Sequence, residues 1–205
     1  MNPPFAPVVA AAALMQGFPG PWFVSGGWAI DLFLERVTRK HSDIEIGIYR
    51  RQQNLLWTQL SGWRLEKAIE TPAGEKSHRW DPWDQGEDLR LPIHQIRATA
   101  PTGDPAEVDF LLNERTDTHW VFRRHPDLQR PVEEVAIISS LGIPILAPEI
   151  QLLFKAKQTR AKDQADFEST LPRLTMVQRG WLADALQRYH ADHAWLVAIR
   201  ECDYA

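Results

Sequence analysis

Two acids separated by one isoleucine, Asp43-Ile44-Glu45, lie inside an alternating run from Ser42 to Ile48. On a strand, Ile44, Ile46 and Ile48 share one face and the two acids share the other, about 7 Å apart along the chain. Carboxylates so placed repel each other unless a positive charge lies between them. A divalent cation supplies one: magnesium is usually held by one or two carboxylates, with waters and phosphate oxygens completing its shell. A third acid on a neighbouring strand would allow two ions, the arrangement that activates an attacking oxygen and neutralises a phosphate. Asp109, in Glu107-Val108-Asp109-Phe110-Leu111, is the candidate, with Glu107 on the same face as a competitor. Acids alternating with isoleucines describe a half-exposed strand with a solvated face equally well, so the pair alone leaves both alternatives open.

Other elements must position these acids. Trp22 to Val24 is a short apolar strand, broken by Ser25-Gly26-Gly27. Trp28 to Val37 then reads as a helix, with Ile30, Phe33, Leu34 and Val37 at helical spacing. Amides at such a helix start suit a phosphate. Strands are expected over 41–49, 63–68, 91–98 and 107–113, with weaker ones over 120–123 and 137–139. Helices are expected over 7–16 and 52–61. The stretch 71–89 reads as hairpin and loop, and 101–105 as a turn. From Pro148 the pattern becomes helical: Pro148 and Glu149 suit a helix start, and Ile150, Leu153 and Phe154 follow at helical spacing. Two more helices are expected over 175–189 and 192–201. The fold class is therefore α+β: a mixed strand-and-helix domain over residues 1–145, then a helical subdomain over 146–205.

A chain of 205 residues makes one compact domain or two small ones sharing a core. Its net charge of -4 argues against a generic polyanion-binding surface while leaving room for a local basic cleft. A single cysteine, Cys202, forms no intrachain disulfide and suits a reducing cytoplasm. The apolar residues 8–15 are too short to span a bilayer and lack the positive flank of a signal peptide. A first helix packed on the core is expected there, with no membrane partner.

The combination of Ser-Gly-Gly at a helix start, an acid-x-acid strand and a third acid on a later strand resembles the nucleotidyltransferase superfamily of the polymerase-β type. Gly-Gly-Trp-Ala-Ile-Asp, Arg-x-x-Arg-x-His-x-Asp-Ile-Glu, Leu-Leu-Asn-Glu and Pro-Glu-Ile-Gln-Leu-Leu-Phe-Lys-Ala-Lys look like its aminoglycoside 2''-adenylyltransferase-like branch, over roughly residues 20 to 200. The resemblance implies a mixed-sheet core with flanking helices. It also implies two magnesium ions at Asp43, Glu45 and Asp109, and a nucleoside triphosphate near Gly26 and Gly27. Glu45 stands where many superfamily members have Asp, and the longer glutamate carries its charge about one methylene further out.

The implied activity is magnesium-dependent transfer of a nucleoside monophosphate, AMP foremost, to a hydroxyl of a small acceptor such as an aminoglycoside-like antibiotic. The same scaffold also serves tRNA and protein acceptors, and a non-catalytic nucleotide-binding module is a further alternative. Asp109 is ligand, general base or both. Ser25 and Lys155 are candidate phosphate contacts, with a plain turn serine and a solvated helix face as the alternatives. His41 either orients the acids, touches phosphate or caps its loop. Asp31 is expected to bond Arg36 or Arg39. Trp80, Trp83, Asp81, Asp84, Glu87 and Asp88 suit either a cationic sugar or an ordinary exposed loop.

Overall fold

The computed structural model describes residues 3–70, 78–103 and 105–203. The expected loop over 71–89 therefore lies partly outside the described residues, at 71–77, as does Asp104 of the expected turn. Strand β1 (Trp22–Val24) leads into helix α2 (Gly26–Leu34), which follows α1 (Ala6–Leu14). Then come β2 (Glu45–Tyr49), α3 (Leu55–Gln59), β3 (Arg64–Glu70), β4 (His78–Pro82), β5 (Gln95–Thr99) and β6 (Glu107–Arg115). Three short strands follow, β7 (His119–Val121), β8 (Gln129–Pro131) and β9 (Ala136–Ile138), and then β10 (Pro144–Leu146). The chain ends in α4 (Pro148–Ala156), α5 (Ala161–Thr170), α6 (Met176–Tyr189) and α7 (Trp195–Asp203).

The main sheet runs β4-β3-β5-β6-β2-β1-β10-β9, with β7 and β8 extending from β6. It is mixed: β2 pairs with β6 and β1 with β10 in parallel, and the other neighbours are antiparallel. Among the described residues no helix is long and apolar enough to cross a membrane.

The sheet's two faces bury different things. One face carries Ile44, Ile46, Ile48, Leu65, Ile96, Ala98, Val108, Phe110 and Leu112, packed with residues of α1, α2 and α3. The opposite face begins as a second apolar cluster, in which Phe23, Tyr49, Trp120 and Leu146 meet α4 to α7. Further along, that face turns polar. Register places Glu45 beside Asp109, Asp109 beside Arg97, and Arg97 beside Glu66, so one row of charged side chains crosses four strands. Residues paired across strands lie side by side on one face, and neighbouring strands are roughly 4.8 Å apart.

Three differences from the sequence expectation stand out. The strand expected over 41–49 begins only at Glu45, so Asp43 lies in the exposed connection before it. Helix α2 ends at Glu35, in the left-handed region at φ 59°, and the Thr38 hydroxyl and His41 ring then fold back onto Asp31. The helix expected over 52–61 is a 3-10 turn, Arg50–Gln52, followed by the short α3. Strands β8 and β10 and helix α5 carry weaker signals: β8 is half-exposed, and α5 lacks a sustained apolar stripe.

Phe110 is fully buried at the centre of the first cluster. Phe110→Ala should cost about 3–5 kcal/mol, read as a lowered urea midpoint; a loss below 1 kcal/mol would mean that this strand is not central to the core.

Candidate active site

The Ser-Gly-Gly turn is shaped by what presses on it. Ser25 donates its amide to the Glu45 carbonyl at 2.8 Å, which fixes the turn to the start of β2. Gly26 has φ 68°, and a Cβ there would stand 1.9 Å from the Glu45 Oε2. Only glycine meets both constraints. The Gly26 amide donates to the Gln151 side-chain oxygen at 2.7 Å, so α4 holds the turn from the other side. At Gly27 a Cβ would collide with the side chains of Arg39 and His41, so the second glycine makes room for these two.

The Glu45 carboxylate thus lies against backbone, and among the described residues it has no hydrogen-bond or ion-pair partner. Burial, foremost, and then the charge of Asp43 push its pKa from 4.5 to about 7; Asp109 adds to this, while Lys155 and Lys162 oppose it. Asp109, its neighbour on β6, is differently placed. Its carboxylate accepts from the Gln95 amide at 2.9 Å and from Arg97 Nε at 3.1 Å, and Arg97 also reaches Glu107 at 3.2 Å. Of these two neighbouring acids, Asp109 is therefore neutralised by arginine and Glu45 is not.

A cleft of about 350 Å³ opens at the Glu45 end of this row; Asp109, Arg97 and Glu66 are not on its wall. Ser25, Gly26, Glu45, Gln95, Gln151 and Lys155 are among its walls. Lys155 is largely buried and bridges two acids of α5, Asp166 at 2.8 Å and Asp163 at 3.1 Å. Arg39 holds Asp166 through two nitrogens at 3.1 Å, and Arg160 holds Asp163 at 2.6 Å. Burial opposes ionisation of Asp163, but the Arg160 hydrogen bond and the Lys155 charge prevail and hold its pKa at about 2.

Four of the expected site residues, Ser25, Gly26, Glu45 and Lys155, thus share the cleft wall. Asp109 stands behind Gln95, and Asp43 and Gly27 lie outside the wall. His41 turns away from it: the ring bonds Asp31 at 2.5 Å and packs on Trp28 at a centroid distance of 4.4 Å. The expected Asp31 pairing with Arg36 or Arg39 is corrected accordingly, because His41 and Thr38 occupy its carboxylate and Arg39 is taken by Asp166. Among the described residues no three His, Cys, Asp or Glu side chains form a ready metal cage. Arg97 occupies Asp109, and Asp43 sits on an exposed connection.

The cationic-sugar reading of the 80–88 stretch is also corrected. Trp83 is core, packed on Trp57, with its indole N–H on the Glu87 carbonyl. Glu87 pairs with Lys67, Asp81 with Arg79, and Asp88 accepts from Gln53.

Sequence reasoning assigned no role to Gln95, Arg97 or Gln151. The first two were readable as the polar phase of an alternating run, Gln95-Ile96-Arg97-Ala98-Thr99. Gln151 carried no such sign, because its contact spans 125 positions of the chain.

The sequence profile of the aminoglycoside-2''-adenylyltransferase family matches residues 8–169. The chain belongs to this family. It is a nucleotidyltransferase. Its fold is that of solved relatives at low identity. The antibiotic-resistance factor ANT(2'')-Ia in solution shares 16% identity over 93% of this chain and 95% of its own, with a TM-score of 0.56. Lincomycin-bound LnuA, a lincosamide antibiotic adenylyltransferase, shares 14% over 80% and 94%, with a TM-score of 0.53. ANT(2'')-Ia in complex with adenylyl-2''-tobramycin shares 15% over 89% and 97%, with a TM-score of 0.50. No curated protein sequence matches the chain.

The state of Glu45 makes stability depend on pH. Unfolded, Glu45 ionises near 4.5; folded and metal-free, it ionises near 7. A raised carboxylate costs nothing below its unfolded pKa, and the penalty grows as pH rises to the folded value and is full above it. Glu45→Gln should match the parent's melting temperature at pH 4 and exceed it at pH 8 in chelator, with the gap opening between pH 4.5 and 7. Melting curves that stay parallel across this range would contradict the assignment.

Proposed function

We propose that the chain transfers a nucleoside monophosphate, AMP from ATP foremost, to a hydroxyl of a small antibiotic-like acceptor in the cytoplasm. The observation that carries this is the half-buried Glu45 carboxylate, without a hydrogen-bond or ion-pair partner among the described residues, on the wall that Ser25, Gly26 and Lys155 also form. An uncompensated buried charge is costly, and a cation brought with the nucleotide would remove that cost.

Asp43 and Glu45 would hold magnesium, with Asp109, now held by Arg97, as the third acid. When bound, magnesium would supply charge neutralisation to the phosphates. The family's acceptors and the solved relatives' ligands support an aminoglycoside-like or lincosamide-like acceptor for this chain.

The protein's own part is chiefly positioning and charge placement. The Ser25 and Gly26 amides already have protein partners, so Ser25 would offer the phosphates its hydroxyl, and Gly26, lacking a side chain, would let them approach the turn. Lys155, fixed by Asp163 and Asp166, presents a point charge to them. His41 and Gly27 shape the turn from behind. The acceptor oxygen forms a bond to the α-phosphorus as the bond to the bridging oxygen of pyrophosphate breaks. The hydroxyl proton would pass to Asp109 once Arg97 has released its carboxylate.

The test is transfer of label from α-labelled ATP, GTP, CTP and UTP, with magnesium, to a panel of aminoglycosides and lincosamides. Label should reach a drug hydroxyl. Asp43→Asn should reduce transfer by more than the roughly 10–100-fold typical of altering a metal's outer shell, with its fold retained. Transfer that survives Asp43→Asn, or a folded protein that labels no acceptor, would refute the proposal.

A further inference from the structure

At the cleft end away from the Ser-Gly-Gly turn, two consecutive arginines, Arg123 and Arg124, line the wall. They also line an adjoining hollow of about 620 Å³, whose other residues include Lys157, His125, His190 and Glu70. Among the described residues neither guanidinium makes an ion pair. Arg124 is held in place all the same. It donates to the Phe154 carbonyl at 2.9 Å and lies 5.2 Å from the Phe154 ring centroid. Its Nε is buried with no hydrogen-bond partner.

The groups facing the pair are mostly cationic. Lys157 closes the helix side, and His94 closes the side of the sheet. The acids that act on Arg123 are Glu70 and Glu114, and Glu114 is already bound by Arg50 at 2.6 Å. Burial first, and then the charge of Arg123, lower the pKa of Arg124 to about 10. Burial, followed by Arg123, also lowers that of His94. Here the cations outnumber the acid, Glu70, that shares the hollow with them, and no ion pair binds either arginine among the described residues; such a group is stabilised by an anion, and a guanidinium fork matches an oxyanion's geometry.

We propose that Arg123 and Arg124 form a subsite for a phosphate group. It lies on the side of the cleft that Lys155 does not serve. Its phosphate has two sources: the nucleotide's own tail, or a phosphate carried by the acceptor. This rests on the nucleotide reading of the cleft only for the choice of source, since anion binding is measured without any transfer.

The experiment is calorimetric titration of the full chain with pyrophosphate, inorganic phosphate and ATP, for the parent, Arg123→Gln and Arg123→Lys. Arg123 is the site of choice because Arg124 also supports the backbone at Phe154. The parent should bind pyrophosphate, Arg123→Gln should weaken that binding at least tenfold, and Arg123→Lys should restore most of it. Circular dichroism should show both variants folded. If ATP weakens in step with pyrophosphate, the subsite takes the nucleotide's tail. If ATP is unaffected but phosphate binds the ATP-loaded parent and not Arg123→Gln, it takes a phosphate of the acceptor. Pyrophosphate and phosphate binding that is absent in the parent, or equal in parent and Arg123→Gln, would overturn the subsite. So would an ATP loss with unchanged pyrophosphate binding.

Discussion

The site depends on one carboxylate with nowhere to put its charge. Glu45 is pressed against the Gly26 backbone so closely that no side chain fits between them. The parallel pairing of β2 with β6 sets Asp109 beside it. Proteins seldom leave a buried charge unpaired, because the desolvation cost is large unless a partner offsets it. Here the neighbouring cations are spent elsewhere: Arg97 on Asp109 and Glu107, and Lys155 on Asp163 and Asp166. The polar face of the sheet is therefore balanced except at one point, and that point opens on the cleft.

The arrangement requires a stiff frame. Gln151 and Lys155 both belong to α4, one holding the Gly26 amide and the other facing the cleft. The chain of ion pairs from Arg39 through Asp166, Lys155 and Asp163 to Arg160 ties the loop before β2 to α5. Breaking one member of such a buried set leaves its partner uncompensated, so the set acts as a unit. Its contribution is to hold Lys155 in place, in a fold whose stability comes chiefly from the two apolar clusters.

Much of this frame was legible in the sequence because it is written in short-range patterns. The alternating isoleucines gave the buried face of β2, the Ser-Gly-Gly break gave the start of α2, and Pro148 marked the start of α4. The positions of Gly26 on the turn and of Glu45 and Asp109 on paired strands were readable for the same reason. What was not readable is long-range or depends on competition. Asp43 lies outside the strand, just after the loop in which Thr38 and His41 fold back on Asp31, and no periodicity records that contact. Arg97 takes Asp109 because β5 pairs with β6 in one particular register. Trp83 and Glu87 looked like a ligand-binding loop by composition, yet Trp57 and Lys67 recruit them inward. In each case several partners were chemically acceptable, and the fold chose among them.

The most direct test of the central claim is whether a divalent cation binds at Glu45. Manganese titration followed by electron paramagnetic resonance, with a non-hydrolysable ATP analogue, reads this in the intact chain. The account predicts bound manganese in the parent and loss of that binding in Glu45→Gln, at a pH above 7 where the carboxylate is ionised. Equal binding in the two proteins, or none in either, would contradict it.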